Sequence, residues 1–171
     1  MNTEASTFWQ FSLRFYRRPE IPPLCIALQD EQGADVNLLF FILFLSLNSR
    51  QLTTEDVQRI DASIRDWRTK VVQPLRTIRR ELKTGIPPLD AQHSEALRNA
   101  IKREELQAER LQQEALERNF PPNSIGTPAA ASVAAQANIA AYSAIIGTLP
   151  QSAINTLLQS LAATGYNPEK L

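Results

Sequence analysis

A run of eight large apolar residues, Leu38–Leu45, constrains the fold of this chain more than any other feature. Val36 and Leu47 extend the run, and Asp35 stands directly before it, where the N-cap residue of a helix is expected. A helix that is apolar around its whole circumference must be surrounded by other elements. The run is far shorter than the ~18–20 residues required to span a bilayer. We therefore predict a buried core helix over residues 36–48, in preference to a membrane-associated hairpin.

The segments before this run have the pattern of two further helices. Thr7–Arg18 has a wide aromatic face and ends at Pro19. Pro23–Gln32 would form the second helix, with prolines in its first turn and Gly33 as its C-terminal cap. The second helix and the apolar helix would then form a hairpin with a very short loop.

Two long helical patterns follow the run. Between Val57 and Leu82 the apolar residues recur at steps of three and four, but Pro74 interrupts the pattern, so either a kink or two abutting helices is expected. Asp90–Asn119 has the pattern of one long charged helix on the outside of a bundle. Its thin apolar stripe consists of Leu97, Ala100, Ile101, Ala108, Leu111 and Ala115. No segment alternates as a β-strand would, so the sequence predicts an all-α fold, with a bundle of about five helices within residues 7–120.

The C-terminal part of the chain differs in composition from the rest. Residues 121–168 include no charged side chain and are rich in Ala and Ser. We predict a linker over residues 121–128 and a neutral, Ala-rich helical appendage over residues 129–165. Alanine favours helix but offers little apolar area, so two such helices need another surface. That surface could belong to the bundle or to a partner, and we expect the tail to be the less stable part of the protein and the likelier partner site.

The charges are balanced in total but separated along the chain. Lys and Arg number 18, as do Asp and Glu, whereas residues 20–64 carry seven acids and two bases and residues 65–83 carry seven bases and two acids. The two stretches are expected to face each other. Zero net charge argues against a nucleic acid partner. A single cysteine, Cys25, and the lack of a signal-peptide pattern favour a cytoplasmic protein without membrane insertion.

Four ordered blocks of the chain resemble a bacterial family known only as a domain of unknown function. The blocks are FWxFSLxxY from Phe8, CIALQDxxGxDVNLL from Cys25, WxxxVVxPLRxxRRxLK from Trp67 and ELxAE from Glu105. One departure is Glu20, where the family usually reads Pro-Gly. The resemblance implies a cytosolic helical protein and supplies no activity, substrate or cofactor.

The third block contains a cationic stripe. Arg76, Arg79, Arg80 and Lys83 are spaced so that they share one face of a helix, beside its apolar stripe. Arginine side chains at this spacing could hold a phosphate or a pair of carboxylates. We favour pairing within the protein, with Glu104, Glu105 or Glu109 on the long helix or with Asp30 and Asp35, over an external anion.

The second block places a polar cluster around the tight turn between two apolar helices. Its members are Gln29, Asp30, Asp35 and Asn37. Asp30 and Asp35 could bind a hard cation such as Mg²⁺, but such sites need a second facing cluster, and the chain lacks one at the right spacing. We therefore interpret Asp35 as an N-cap and the other three as partners of loop backbone groups.

Glu105 and Glu109 lie one turn apart on the long helix. A di-metal site in a helical bundle would need Glu-x-x-His pairs on two helices, and the single histidine, His93, is not in such a pattern. We assign no catalytic residue, metal ligand or cofactor. The leading interpretation is a non-enzymatic adaptor or regulatory protein that binds another protein, which could be a second copy of itself. The alternative is a binder of, or an enzyme acting on, a small anionic molecule, held by the cationic stripe and the facing carboxylates.

Overall fold

The computed structural model describes residues 6–165, and these form an all-α bundle with a few very short strands. The helices are α1 (Thr7–Tyr16), α2 (Ile21–Gln32), α3 (Val36–Leu47), α4 (Thr54–Trp67), α5 (Gln73–Glu81), α6 (Ala91–Asn119), α7 (Ala131–Ile146) and α8 (Gln151–Ala162). A π-helical turn, Arg68–Val72, joins α4 to α5, and a 3₁₀ turn covers Pro122–Ser124. The all-α prediction is confirmed. Within the described residues, no helix combines the length and apolarity required to cross a bilayer.

Helix α3 lies at the centre of the core, as its apolar run predicts. Every residue from Val36 to Ser46 is buried, because α1, α4, α6 and α7 all pack against this helix. Phe8 of α1 packs edge-on against Phe41, with the ring centroids 5.0 Å apart. The Asp35 carboxylate accepts hydrogen bonds from the first free amides of α3, so the predicted N-cap is confirmed.

Pro74 divides the fourth helical pattern into two abutting helices. The residues before it widen into the π turn, in which the Gln73 amide donates to the Arg68 carbonyl, five residues back. Proline has no amide hydrogen and its ring displaces the carbonyl four residues earlier, so a wider turn fits it into the helix. Beyond this turn α5 packs mainly on α6, and no residue of α5 is buried.

Two short antiparallel ladders correct the prediction that the chain has no strands. β2 (Gly85–Ile86) pairs with β3 (Leu89–Asp90) across a cis Pro87–Pro88 bond. β1 (Arg50–Gln51) pairs with β4 (Thr127–Pro128). Two-residue strands are too short to produce an alternating pattern, which explains why the sequence did not indicate them.

The apolar stripe predicted for α6 is wrong in its details. Leu97 and Leu111 are exposed, whereas the buried face of the helix includes Glu105, Gln112 and Gln113 beside Ala108 and Leu116. Periodicity analysis counts only apolar residues as buried, so it could not find a polar face that is buried because its side chains have partners.

The tail helices pack on the bundle and share its core. Helix α7 lies along α3, and α8 contacts α7 and α2. Ile139, Tyr142, Leu157 and Leu161 belong to the same cluster of buried side chains as α3. The sequence left open whether the tail packs on the bundle or on a partner. In the structure the tail packs on the bundle.

Candidate functional site

Two arginines of the cationic stripe face two carboxylates of α6. Arg76 donates from Nε to Glu105 Oε1 at 3.1 Å and from its terminal nitrogen to Glu109 Oε1 at 2.5 Å. Arg79 donates from Nε to Glu105 Oε2 and from a terminal nitrogen to Glu105 Oε1, the latter at 3.2 Å. The pairing forms because α5 and α6 run side by side after the β2–β3 hairpin reverses the chain. This cluster, Arg76, Arg79, Glu105 and Glu109, is the α5–α6 ion cluster.

Burial and charge act in opposite directions in the α5–α6 ion cluster. Burial would raise the pKa of Glu105, but hydrogen bonds from Arg79 and Arg76 outweigh it and hold that pKa below its usual range. Burial raises the pKa of Glu109, and repulsion from Glu105 and Asp35 raises it further. The positive charge of Arg76 opposes this shift but does not cancel it. One cluster therefore contains a carboxylate that holds its charge firmly and a neighbour that gives it up more easily.

The other two members of the cationic stripe lie apart from this cluster. Arg80 donates to Asp30 of α2 at 2.8 Å, in an exposed ion pair. Lys83 is exposed and makes no ion pair within residues 6–165. The predicted internal pairing is confirmed for Arg76, Arg79 and Arg80, whereas Lys83 points to solvent. Glu104, another expected partner, is exposed.

Asp35 is the centre of a second polar cluster. One carboxylate oxygen caps α3, accepting from the amides of Asn37 at 2.9 Å and Leu38 at 3.2 Å. The other oxygen accepts from Arg68 at 3.1 Å and from the Gln112 side-chain amide at 2.9 Å. The carboxylate is thus surrounded by donors rather than by further oxygen ligands, which argues for the structural interpretation of this aspartate.

Tyr142 connects the tail to the same residue. The Asp35 amide donates to the Tyr142 hydroxyl at 2.8 Å, and that hydroxyl donates to the Asp35 carbonyl at 3.2 Å. Burial raises the pKa of Tyr142 well above its usual range, so the hydroxyl stays protonated and able to donate.

Arg68, which binds Asp35, also donates to Asp61 at 2.6 Å, and Asp61 accepts a second hydrogen bond from Arg65 at 3.0 Å.

The remaining predicted polar residues have separate roles. Asn37 accepts a hydrogen bond from Gln113 of α6 at 2.7 Å, both side chains being buried. Gln29 is half-buried on α2 and belongs to neither cluster of the described region. Among the described residues, no group of three or more His, Cys, Asp or Glu side chains is arranged to hold a metal ion. Burial raises the pKa of the Cys25 thiol to about 12, so it stays protonated.

Sequence reasoning missed the row of polar contacts along α6. Glu105 and Glu109 bind α5, Gln112 binds the cap of α3, and Gln113 binds Asn37. Glu117 continues the row by accepting hydrogen bonds from Ser6, Thr7 and the Phe8 amide at the start of α1. The spacing of 105, 109, 113 and 117 by four residues was the signal that these side chains share one helix face.

The stretch of chain that includes Arg76 and Arg79 also has several exposed apolar side chains. We call residues 73–104, which comprise α5, the β2–β3 hairpin and the first half of α6, the arm. Four large apolar side chains of the arm are more than two-fifths exposed: Ile78, Ile86, Leu89 and Leu97. Helix α5 packs mainly on α6 and the π turn and buries no residue, so much of the apolar surface of the arm meets water.

Comparison with known proteins gives a family without an activity. No curated protein matches the chain, and no solved structure matches it. Residues 7–116 match the family described as "Protein of unknown function (DUF2390)", which covers most of the chain from α1 into the last turn of α6. The chain therefore belongs to the DUF2390 family, as the four sequence blocks indicated.

Proposed function

We propose that this protein is a non-enzymatic adaptor or regulatory protein of the cytoplasm, and that it binds another protein through the exposed apolar face of the arm. The observation that carries the proposal is the exposure of Ile78, at 43%, on α5, which packs mainly on α6 and buries no residue, and of Leu97, at 56%, in the first half of α6. Several large apolar side chains exposed within one short stretch of chain favour a protein–protein interaction site there. A partner that offers an apolar helical face would complete the bundle that the arm begins.

The state of the cationic stripe supports this choice over the alternative. A small anion would have to compete with Glu105 and Glu109 for Arg76 and Arg79, and with Asp30 for Arg80. Of the stripe, only Lys83 among the described residues lacks a carboxylate partner. An ammonium group on a flexible chain is a poor anion site by itself.

Substitutions on the arm test the proposal. The wild-type protein and the variants Ile78→Glu and Leu97→Glu would be immobilised and exposed to extract from the native cell. We expect one or a few bound proteins, and at least tenfold less of them on either variant. Ile26→Glu is the matched control, because Ile26 is 49% exposed on α2.

The result separates the two functions. Equal capture by all four proteins would exclude the arm as the binding surface. Titration with inorganic phosphate addresses the alternative: tight binding that is lost in Arg79→Gln would favour the anion-binding function. Light scattering of the purified protein over a range of concentrations shows whether the partner is a second copy.

A further inference from the structure

A cavity lies between the start of α7, the end of α8 and the last turn of α3. Its volume is about 330 Å³, and it opens to solvent on one side. Leu47, Leu158 and Leu161 form one part of its wall, and Ala131, Ala135 and Ala162 form another. The space exists because the alanines supply only methyl groups where two tail helices meet the bundle.

The size of the cavity suits a small molecule. An apolar cavity of about 150 Å³ stays dry and binds benzene, so this space can hold a molecule roughly twice that size. It also falls within the ~300–1,000 Å³ typical of ligand pockets. Because the cavity opens to solvent, its apolar lining meets water, and a bound apolar molecule would cover that lining.

The lining defines the chemistry of the molecule. No charged side chain and no aromatic ring lines the cavity among the described residues. The polar residues of the lining are Ser132 and Gln136, both exposed, and Thr164, whose hydroxyl already donates to the Leu161 carbonyl. From the volume, the aliphatic wall and these polar residues, we propose that this cavity binds a small amphiphile, with its aliphatic chain inside and its polar group at Ser132 and Gln136. The proposal is independent of the arm and of any protein partner.

Titration with 1-octanol tests the site, with amide chemical shifts as the measurement. We expect saturable shifts confined to residues around the cavity, together with a higher melting temperature of the complex. Ala135→Leu, which fills the cavity from a buried position, should weaken octanol binding at least tenfold. Ala140→Leu is the matched control, since it is the same change at an exposed position of the same helix, and it should bind as the wild type does.

Three results would overturn the proposal: no saturable shift in the wild type, shifts that lie elsewhere, or equal binding by Ala135→Leu and Ala140→Leu. If Ala135→Leu melts early, Ala131→Leu at the half-exposed edge of the cavity replaces it, and the same tenfold loss is required. Sedimentation with phosphatidylcholine vesicles shows whether the bound amphiphile is a membrane lipid or a free molecule. Vesicle binding that is lost in the cavity-filling variant indicates a membrane lipid, and octanol binding without vesicle binding indicates a free molecule.

Discussion

At the scale of single residues, Asp35 combines more interactions than any local signal suggested. The cap of α3 needs only one carboxylate oxygen, and the second oxygen is left for Arg68 and Gln112. The side chain is only 7% exposed, so these donors replace the water that an exposed carboxylate would bind. The residue therefore ties the start of α3 to α6 and to the π turn.

Asp35→Ala should consequently cost more than an ordinary cap. We expect a loss of about 2–4 kcal/mol in the free energy of unfolding, because the cap and a shielded ion pair disappear together. Thr53→Ala, which removes only the exposed cap of α4, should cost about 1 kcal/mol. Urea unfolding of both variants gives the comparison. Equal costs would mean that Arg68 adds nothing to the cap.

The α5–α6 ion cluster predicts a specific dependence on pH. The pKa of Glu105 is lowered by folding, so this residue stabilises the fold above its unfolded-chain pKa of about 4.3, and the contribution is lost as the pH falls further. The pKa of Glu109 is raised, so its contribution has the opposite sign: it is present at low pH and is lost as the pH rises from about 4.3 through the folded-state pKa.

Glu105→Gln should therefore flatten the acid limb of the stability curve below about pH 4.3 and cost about 1–3 kcal/mol at pH 7. Glu109→Gln should leave the loss of stability below about pH 4.3 unchanged. It should remove part of the loss of stability that occurs as the pH rises above about 4.3. Urea unfolding between pH 3 and pH 7 measures both, with Glu104→Gln at the exposed neighbouring position as control. If Glu105→Gln lost stability below about pH 4.3 as steeply as the wild type does, Glu105 would not be the source of that pH dependence.

At the scale of elements, the arm and α7 differ in how they are held. Helix α5 buries no residue and packs mainly on α6, whereas α7 lies along α3 and buries Asn138, Ile139 and Tyr142. Local opening requires little free energy where few apolar contacts are broken. The packing therefore predicts the opposite order of stability from the one that the alanine content of the tail suggested.

Amide hydrogen exchange of the whole protein tests this order. We expect the amides of α7 to be nearly as protected as those of α3, α8 to be intermediate, and α5 to exchange fastest. Rapid exchange throughout 131–162 would instead support a tail that opens as a unit, as the proposed division at residues 121–128 implies. If the amides of α5 were as protected as those of α3, the arm would not be a weakly held element.

At the scale of the whole molecule, Asn138 joins three separate parts of the chain. Its amide nitrogen donates to the carbonyls of Ile42 and Arg50, each at 3.0 Å, and its oxygen accepts from the Leu52 amide at 2.7 Å. The side chain is fully buried. The tail is therefore bound to α3 and to the β1 segment by polar contacts as well as by apolar packing.

Asn138→Ala should lower the free energy of unfolding by about 3 kcal/mol or more, because it leaves the buried Leu52 amide without a partner and removes two further hydrogen bonds. Asn155→Ala, the same substitution at an exposed position of α8, should change stability by less than about 0.5 kcal/mol. Thermal and urea unfolding measure the pair. A small effect at Asn138 would show that the tail is held by apolar packing alone.

The sequence by itself determined the local features of this protein. The all-α class, the burial of α3, its cap at Asp35 and the break at Pro74 follow from periodicity, capping and the missing amide of proline, which act within a few residues. The separation of acidic and basic stretches also favoured the internal pairing that Arg76, Arg79 and Arg80 make, but not the exposure of Lys83.

The tertiary structure alone decided which groups meet across the chain. The choice of Glu105 and Glu109 rather than Glu104, the buried polar face of α6, and the bonds of Tyr142 and Asn138 depend on how helices distant in sequence are oriented. The docking of the tail and the exposure of the arm were decided in the same way. Both depend on which apolar faces find a neighbour, and helical periodicity identifies such a face without naming what covers it.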